Sequence, residues 1–228
     1  LEDARAIIAR AADITARARA LGQPLSGPLR MGIIPTIAPY LLPEILPRLQ
    51  QQFPALELQL TEDLSNRITD QLRAGSLDLI LLAFPYDTPG MTQIPLFAEP
   101  FYLACPKGTW KGRVPVTMED LQDHELLLLE EGHCLRDHAL AACRFQAKAG
   151  RETFNATSLP TLIQFVQHGY GMTLLPEMAV QPGTAPESLD ILPFRAPPPV
   201  RQIGMAWRKN HPQEQEFSML AEAIKSAL

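Results

Sequence analysis

Apolar runs of strand length alternate with segments of helical periodicity along most of the chain. In the first half, the pattern predicts strands at 29–34, 56–61 and 78–83 and helices at 40–52 and 64–74. The run 78–83 is almost wholly apolar, which is typical of a buried parallel strand. This β-α-β-α-β order favours parallel strands joined by right-handed crossovers. The first half therefore predicts an open α/β sheet covered by helices.

The second half repeats this alternation after a long apolar segment. Residues 94–105 predict a strand that crosses from one lobe into another. The later elements are predicted as strands at 126–129, Phe154, 172–175 and 202–207, and as helices at 135–147, 159–168 and 214–228. We therefore predict an α/β fold of two Rossmann-like lobes joined by two crossover strands. The lobes would comprise 28–99 with 203–228, and 100–202, with the default ligand site in a cleft between them.

The first 27 residues form a separate segment in this prediction. Residues 1–21 are rich in Ala and Arg and predict a helix, which the Gly- and Pro-containing segment 22–28 ends. We expect a connector helix followed by a linker over 1–27. The chain opens on Leu1 without a methionine, which indicates a fragment of a longer protein.

Charge and cysteine content narrow the class of protein. The net charge of −5 argues against a self-sufficient nucleic-acid binder, so any DNA contact is expected from a segment outside this chain. No apolar run approaches the roughly 18 residues of a membrane span, and no signal-peptide pattern is present, so we expect a cytoplasmic protein. Three cysteines do not form a secreted disulfide scaffold. We expect neither a metal nor a cofactor.

Several short motifs follow one another in an order that resembles the regulatory domain of LysR-type transcriptional regulators. These motifs are GIIPTIAPYLLP at 32–43, FP at 53–54, GSLDL at 75–79, PLF at 95–97 with Glu99, TSL at 157–159 and GYGMTLLP at 169–176. Within that family, LLEEGHCLRDH at 128–138, followed by Cys143, is similar to the redox segment of the hydrogen-peroxide sensors.

The resemblance implies a two-lobed domain similar to type 2 periplasmic binding proteins. It also implies an N-terminal winged helix-turn-helix outside this chain and a dimerising connector helix, of which 1–21 would be the tail. A homodimer through the regulatory domains, a tetramer of the full-length protein on DNA and a contact with RNA polymerase are expected. The protein would act as a transcriptional regulator and not as an enzyme.

The predicted position of Cys134 suits thiolate chemistry. Cys134 lies between a predicted strand end at Leu129 and a predicted helix start near Leu135, and helix N-termini stabilise anions. The thiolate is the form of cysteine that attacks a peroxide. His133 and Arg136 lie close in sequence and can supply hydrogen bonds or positive charge. The resemblance implies that peroxide oxidises Cys134 to a sulfenic acid, which then forms a disulfide with Cys143 as the resolving thiol.

The spacing of these two cysteines predicts a conformational change. Nine residues of continuous helix separate them by about 13 Å along the axis, on opposite faces. A disulfide needs Cα atoms within about 7 Å of one another. The helix predicted at 135–147 must therefore unravel locally before the bond can close.

A peroxide-binding set completes the prediction. Thr36 can cap the first helix and can also exchange hydrogen bonds with peroxide. Ser65 occupies the position after the second strand where the family is expected to carry threonine, so it retains the hydroxyl. The full set implied by the resemblance and by charge is Thr36, Ser65, Gly132, His133, Arg136 and Arg201.

Simpler interpretations stand beside these. Cys105 is expected to be a core or surface residue. The alternative for Thr36 is a helix cap alone, and the alternative for His133 is the cap of a turn. Gly169 and Gly171 favour a helix C-cap and a tight turn over a phosphate loop. Three functions remain as alternatives: a LysR domain for a small organic effector, a thiol peroxidase or disulfide reductase, and a periplasmic solute receptor of the same fold.

Overall fold

A computed structural model describes residues 24–121, 124, 126–143, 156–181, 183–184 and 186–228. The helix predicted at 1–21, the strand at Phe154 and the last residues of the helix at 135–147 lie outside them. The chain divides into two compact units. Unit 1 comprises Leu1–Phe97 and Gln202–Leu228, and unit 2 comprises Ala98–Arg201.

Unit 1 is built on parallel strands with helical crossovers. Its first elements are β1 (Gly27–Ile33), α1 (Ala38–Gln52), β2 (Leu56–Glu62), α2 (Ser65–Arg73) and β3 (Leu79–Phe84). β1 lies at the centre of this group and pairs in parallel with β2 and with β3. All six residues of β3 are buried, in agreement with its apolar sequence. The predicted parallel α/β arrangement is confirmed in this half.

An ion pair fixes the register between β1 and β3. Arg30 donates from its backbone N–H and from Nε to Asp78 Oδ2, at 2.8 and 3.1 Å. The backbone N–H of Asp78 donates in return to the carbonyl oxygen of Arg30, at 2.9 Å. These bonds join Arg30 in β1 to the start of β3, so they set how the two parallel strands are aligned.

Unit 2 is organised differently from the prediction. β4 (Met91–Pro106) leads into it and pairs antiparallel with β5 (Thr173–Pro176) and with β6 (Leu189–Pro193). β6 was not predicted, and neither were the 3₁₀ helices Glu119–Leu121 and Glu177–Val180. Its helices in the described residues are α3 (Cys134–Cys143) and α4 (Leu159–Gln167).

The strand predicted at 126–129 is wrong. This segment makes only isolated parallel bridges, Leu126 to Met172 and Leu129 to Ala156. The two ends of the segment pair with different partners, so no continuous ladder forms along it. An apolar run shows that a segment is buried but does not show that it has one neighbouring strand.

The chain returns to unit 1 through β7 (Val200–Arg208), which pairs antiparallel with β3, and ends in α5 (Glu214–Ala227). Gly204 allows β7 to pack closely within unit 1. A Cβ at this position would lie 2.6 Å from the carbonyl oxygen of Ile94 and 2.7 Å from the Phe84 ring. Only glycine fits there without movement of the backbone.

We predict that Gly204→Ala lowers the free energy of unfolding by about 1–3 kcal/mol, as overpacking of a dense core does. Gly32→Ala is the comparison, since its Cβ would meet only side-chain atoms, the tip of Leu77 at 2.6 Å and Ile68 and Ile80 at 3.1 Å, so a smaller loss is expected. Urea denaturation of wild type and both variants measures the difference. A midpoint of Gly204→Ala equal to that of wild type would contradict the prediction.

Candidate redox and ligand site

Cys134 is the first residue of α3, as the sequence predicted. Gly132, two residues earlier, has φ of 97°, a backbone conformation that favours glycine. This turn leads the chain from the end of the bridge at Leu129 into the helix. Cys134 is buried, with 2% of its surface exposed. It therefore lies at the positive end of a helix and largely out of water. The helix end favours the charged thiolate, whereas burial disfavours it.

His133 is held as a neutral ring by its surroundings. Its Nε2 lies 3.1 Å from the carbonyl oxygen of Thr157. A carbonyl oxygen only accepts, so Nε2 carries the hydrogen and Nδ1 is left as the acceptor nitrogen. Burial lowers the pKa of His133, against the opposing effects of the Thr157 carbonyl and the charge of Glu130. Nδ1 is therefore the nitrogen of His133, the residue before Cys134 in sequence, that can take up a proton.

Arg136 closes the loop that precedes α3. Its guanidinium donates from Nη1 to the carbonyl oxygen of Leu129 at 3.2 Å, and its backbone N–H donates to the carbonyl oxygen of His133 at 3.1 Å. The N–H of Glu130 donates to the carbonyl oxygen of Ala156 at 3.0 Å. One hydrogen-bonded loop and the first turn of α3, both in unit 2, thus contain Gly132, His133, Cys134 and Arg136.

Thr36 and Ser65 lie together in unit 1. Thr36 follows β1, and Ser65 begins α2 immediately after β2. β1 and β2 are parallel neighbours, with Ile33 opposite Glu62, so both residues lie at the carboxyl edge of the sheet. Each has only 1% of its surface exposed. Polar residues at this edge are the usual ligand-binding groups of open α/β sheets.

The expectation that Thr36 caps the first helix is wrong. The N-cap of α1 is Ile37, and no side chain caps the helix. Pro39 occupies the second helical position and has no N–H to donate, which removes one of the two usual targets of a capping side chain. Thr36 therefore lies one residue before the N-cap position and not at it.

Arg201 forms an ion pair that the sequence did not reveal. Its Nε lies 2.6 Å from Glu99 Oε2, and both side chains are fully buried. Glu99 Oε1 accepts the backbone N–H of Met178 at 2.7 Å. The charge of Arg201 is thus compensated inside unit 2. Glu99 stood in a recognised motif, but no sequence pattern indicated that it binds a residue 102 positions away.

Cys105 is a core residue, as one of the two expectations held. It is fully buried in β4, and burial raises the pKa of its thiol. Cys143 is the last described residue of α3, and nine helical steps of about 1.5 Å place it about 13 Å from Cys134 along the helix axis. The structure therefore shows continuous helix between these two cysteines.

The glycines after α4 form a helix cap, as predicted. Gly169 has φ of 81°, and its N–H donates to Val166 at 3.0 Å while that of Tyr170 donates to Phe165 at 3.1 Å. This pair of bonds is a Schellman motif. A phosphate-binding role for Gly169 therefore has no support from its contacts.

Comparison with known proteins decides the family. Residues 22–228 match the LysR substrate binding domain. The chain belongs to the LysR family. The DNA-binding transcriptional dual regulator OxyR of Escherichia coli is 41% identical over 230 residues, which cover all of this chain and 75% of OxyR. The HTH-type transcriptional regulator EstR of Acinetobacter baylyi is 38% identical over 97% of this chain and 74% of EstR.

A solved structure gives the same result for the fold. A cysteine mutant of Corynebacterium glutamicum OxyR, with H₂O₂ bound, superposes with a TM-score of 0.87 at 32% identity, over 96% of this chain and 70% of that one. The predicted fold class is confirmed. In the described part of this LysR domain, no helix is long and apolar enough to cross a membrane, and no group of acidic, His and Cys side chains could hold a metal ion.

The lowered pKa of His133 predicts a pH dependence of stability. The unfolded chain protonates this residue at its usual pKa of about 6.5, whereas the folded LysR domain does so only at lower pH. The contribution of neutral His133 to the free energy of unfolding is present above about pH 6.5 and is lost as the pH falls toward the pKa of His133 in the folded domain. Wild type should therefore lose more unfolding free energy between about pH 7.5 and 5.5 than His133→Gln, which keeps a donor for Thr157. Exposed His168→Gln is the control and should behave as wild type; parallel curves for wild type and His133→Gln would contradict the prediction.

The ion pair of Glu99 and Arg201 predicts a large stability effect. Glu99→Gln leaves a buried guanidinium without its carboxylate, which costs about 3–5 kcal/mol in comparable cases. Glu222→Gln, which removes the exposed pair with Lys225, should cost less than about 1 kcal/mol. Chemical denaturation measures both variants. If Glu99→Gln unfolds at the same midpoint as Glu222→Gln, the pair does not stabilise unit 2.

Proposed function

We propose that this LysR domain is the peroxide-sensing regulatory part of a bacterial, cytoplasmic DNA-binding transcription factor, with Cys134 as its reacting thiol. The observation that carries the proposal is the placement of Cys134 as the first residue of α3, directly after His133 in the chain. The OxyR relative, at 41% identity over the whole chain, supports the same function.

The first chemical step is a two-electron oxidation. The Cys134 thiol loses its proton to an acceptor, for which His133 Nδ1 is the nearest candidate in sequence. The thiolate then attacks one oxygen of H₂O₂, an S–O bond forms, the O–O bond breaks, and hydroxide leaves. The proton returned to hydroxide gives water. Cys134 becomes a sulfenic acid and peroxide is reduced.

The second step forms the disulfide and releases water. The Cys143 thiol attacks the sulfenic sulfur of Cys134, and the hydroxyl leaves with the thiol proton. Since α3 holds the two Cα atoms about 13 Å apart and a disulfide requires about 7 Å or less, α3 must unwind first. Oxidation is thereby coupled to a change of backbone structure, which is how a redox switch transmits a signal.

The proposal keeps the peroxide-binding residues expected from the sequence, each taken within its own unit. Thr36 and Ser65 supply buried hydroxyl-bearing residues at the carboxyl edge of the unit 1 sheet, and Gly132, His133 and Arg136 supply the loop before α3. Arg201 is the weakest member, because Glu99 already compensates its charge. Arg136 likewise already donates to Leu129, so its main effect is on the loop.

The remaining parts of the proposal concern the full-length protein. DNA binding would reside in a winged helix-turn-helix that precedes this chain, consistent with the name of the Escherichia coli relative, a DNA-binding transcriptional regulator. We propose a homodimer through regulatory domains, a tetramer on DNA and a contact with RNA polymerase. The domain would use no cofactor and would react once per signal, without turnover as an enzyme.

A second candidate is a LysR domain that binds a small organic effector. The family match to a substrate binding domain favours it. A thermal shift with organic acids, in the absence of any reaction with peroxide, would identify this function.

The test uses the fact that trypsin separates the three cysteines. Cleavage after Lys and Arg places Cys105 in peptide 74–107, Cys134 in 114–136 and Cys143 in 137–144. After one equivalent of H₂O₂, we expect two thiols to disappear and peptides 114–136 and 137–144 to appear linked. Far-UV circular dichroism should report loss of helix at the same rate.

Three variants serve as controls. Cys134→Ser should abolish both changes, Cys143→Ser should leave a sulfenic acid that dimedone traps, and Cys105→Ser should behave as wild type. Survival of all three thiols in excess peroxide would overturn the proposal. Many turnovers with a thiol reductant would indicate a thiol peroxidase.

A further inference from the structure

The start of the described chain is fixed to unit 1 by an unusual bond. Leu25 is buried and has φ of 52°, an uncommon backbone conformation for a residue other than glycine. Its backbone N–H donates to Glu216 Oε2 at 2.9 Å, across 191 positions of sequence. Both partners lie in unit 1.

Glu216 is available for this bond because of the way α5 begins. Gln213 is the N-cap of α5, so Glu216 is the third helical residue. A glutamate there usually turns back to the N–H of the N-cap residue. In this chain the N–H of Gln213 donates to His211 Nδ1 at 3.2 Å instead, and Gln213 Nε2 donates to Glu216 Oε2 at 3.2 Å. The carboxylate is therefore directed toward Leu25.

The groups around this bond are buried and packed on the core of unit 1. His211, Gln213 and Glu216 each have less than a tenth of their surface exposed. The ring of His211 lies 4.8 Å from that of Phe217, which in turn lies 5.5 Å from Trp207. Hydrogen bonds from an amide to a buried carboxylate are stronger than those between neutral groups. The bond therefore links Leu25 to the buried start of α5.

We propose that Glu216 is a positioning residue that locks the backbone of Leu25 to α5. His211 acts with it, because it occupies the N-cap N–H that would otherwise attract the carboxylate. If the chain before Leu25 leads to a DNA-binding part, as the proposed function has it, this lock holds the regulatory domain's end of that connection. The lock itself does not depend on peroxide.

The experiment measures hydrogen exchange of the Leu25 amide by NMR in this chain. In wild type we expect protection similar to that of the β1 amides. Glu216→Met removes the acceptor and should speed exchange at Leu25 by about 10- to 100-fold, the range for a bond to a charged group. The order parameter of Leu25 should fall from the rigid range toward that of a flexible segment, below about 0.6. Glu222→Met, on the exposed side of the same helix, is the matched control and should change neither value.

A second variant separates the lock from general stability. His211→Phe keeps the ring stack on Phe217 but removes the acceptor for the Gln213 N–H, so Glu216 should turn back to its own helix and release Leu25. Exchange at Met31 in β1 should stay slow in every variant. Rapid exchange of Leu25 in wild type, or unchanged exchange in both variants with β1 protected, would overturn the proposal. Because no peroxide is present, failure here leaves the proposed function untouched.

Discussion

The length of α3 constrains the chemistry proposed for this domain, since each helical residue adds about 1.5 Å along the axis. Cys134 begins that helix, and Cys143 lies about 13 Å further along its axis. The same helix that places Cys134 at a positive helix end keeps its proposed partner out of reach. In the proposed mechanism, oxidation of Cys134 comes first, and the disulfide that follows requires this helix to unwind.

Buried polar groups hold the segments around this helix. His133 hydrogen-bonds to the carbonyl oxygen of Thr157, and Arg136 donates to that of Leu129. These bonds shape the loop that ends at Cys134. Elsewhere in unit 2, the fully buried pair of Glu99 and Arg201 joins β4 to β7. A buried polar contact is costly to leave unmade, so it specifies one arrangement of the segments that it joins. The reactive helix start is thus supported by contacts that take no part in the reaction.

Much of unit 1 was predictable, because the hydrophobic pattern of each segment indicates its strand or helix. The apolar run at 78–83 and the period of 40–52 appear as β3 and α1 within a few residues of the predicted limits. Unit 2 was predicted less well. The apolar run at 126–129 pairs with two different segments, and β6 lies between proline-containing stretches with no clear alternation. Which strand a segment pairs with depends on both segments, and the sequence of one segment does not identify its partner.

The sequence by itself determined the family, the position of Cys134 at a helix start and the nine-residue interval to Cys143, since motif and spacing are local properties of the chain. Tertiary structure alone decided which groups compensate the polar residues of the candidate site. Glu99 meets Arg201 across 102 positions, and Glu216 meets Leu25 across 191. The acceptors of His133 and Arg136 are backbone carbonyls, which every residue possesses. Such partners are chosen by the packing of distant segments, so no local pattern could have revealed them.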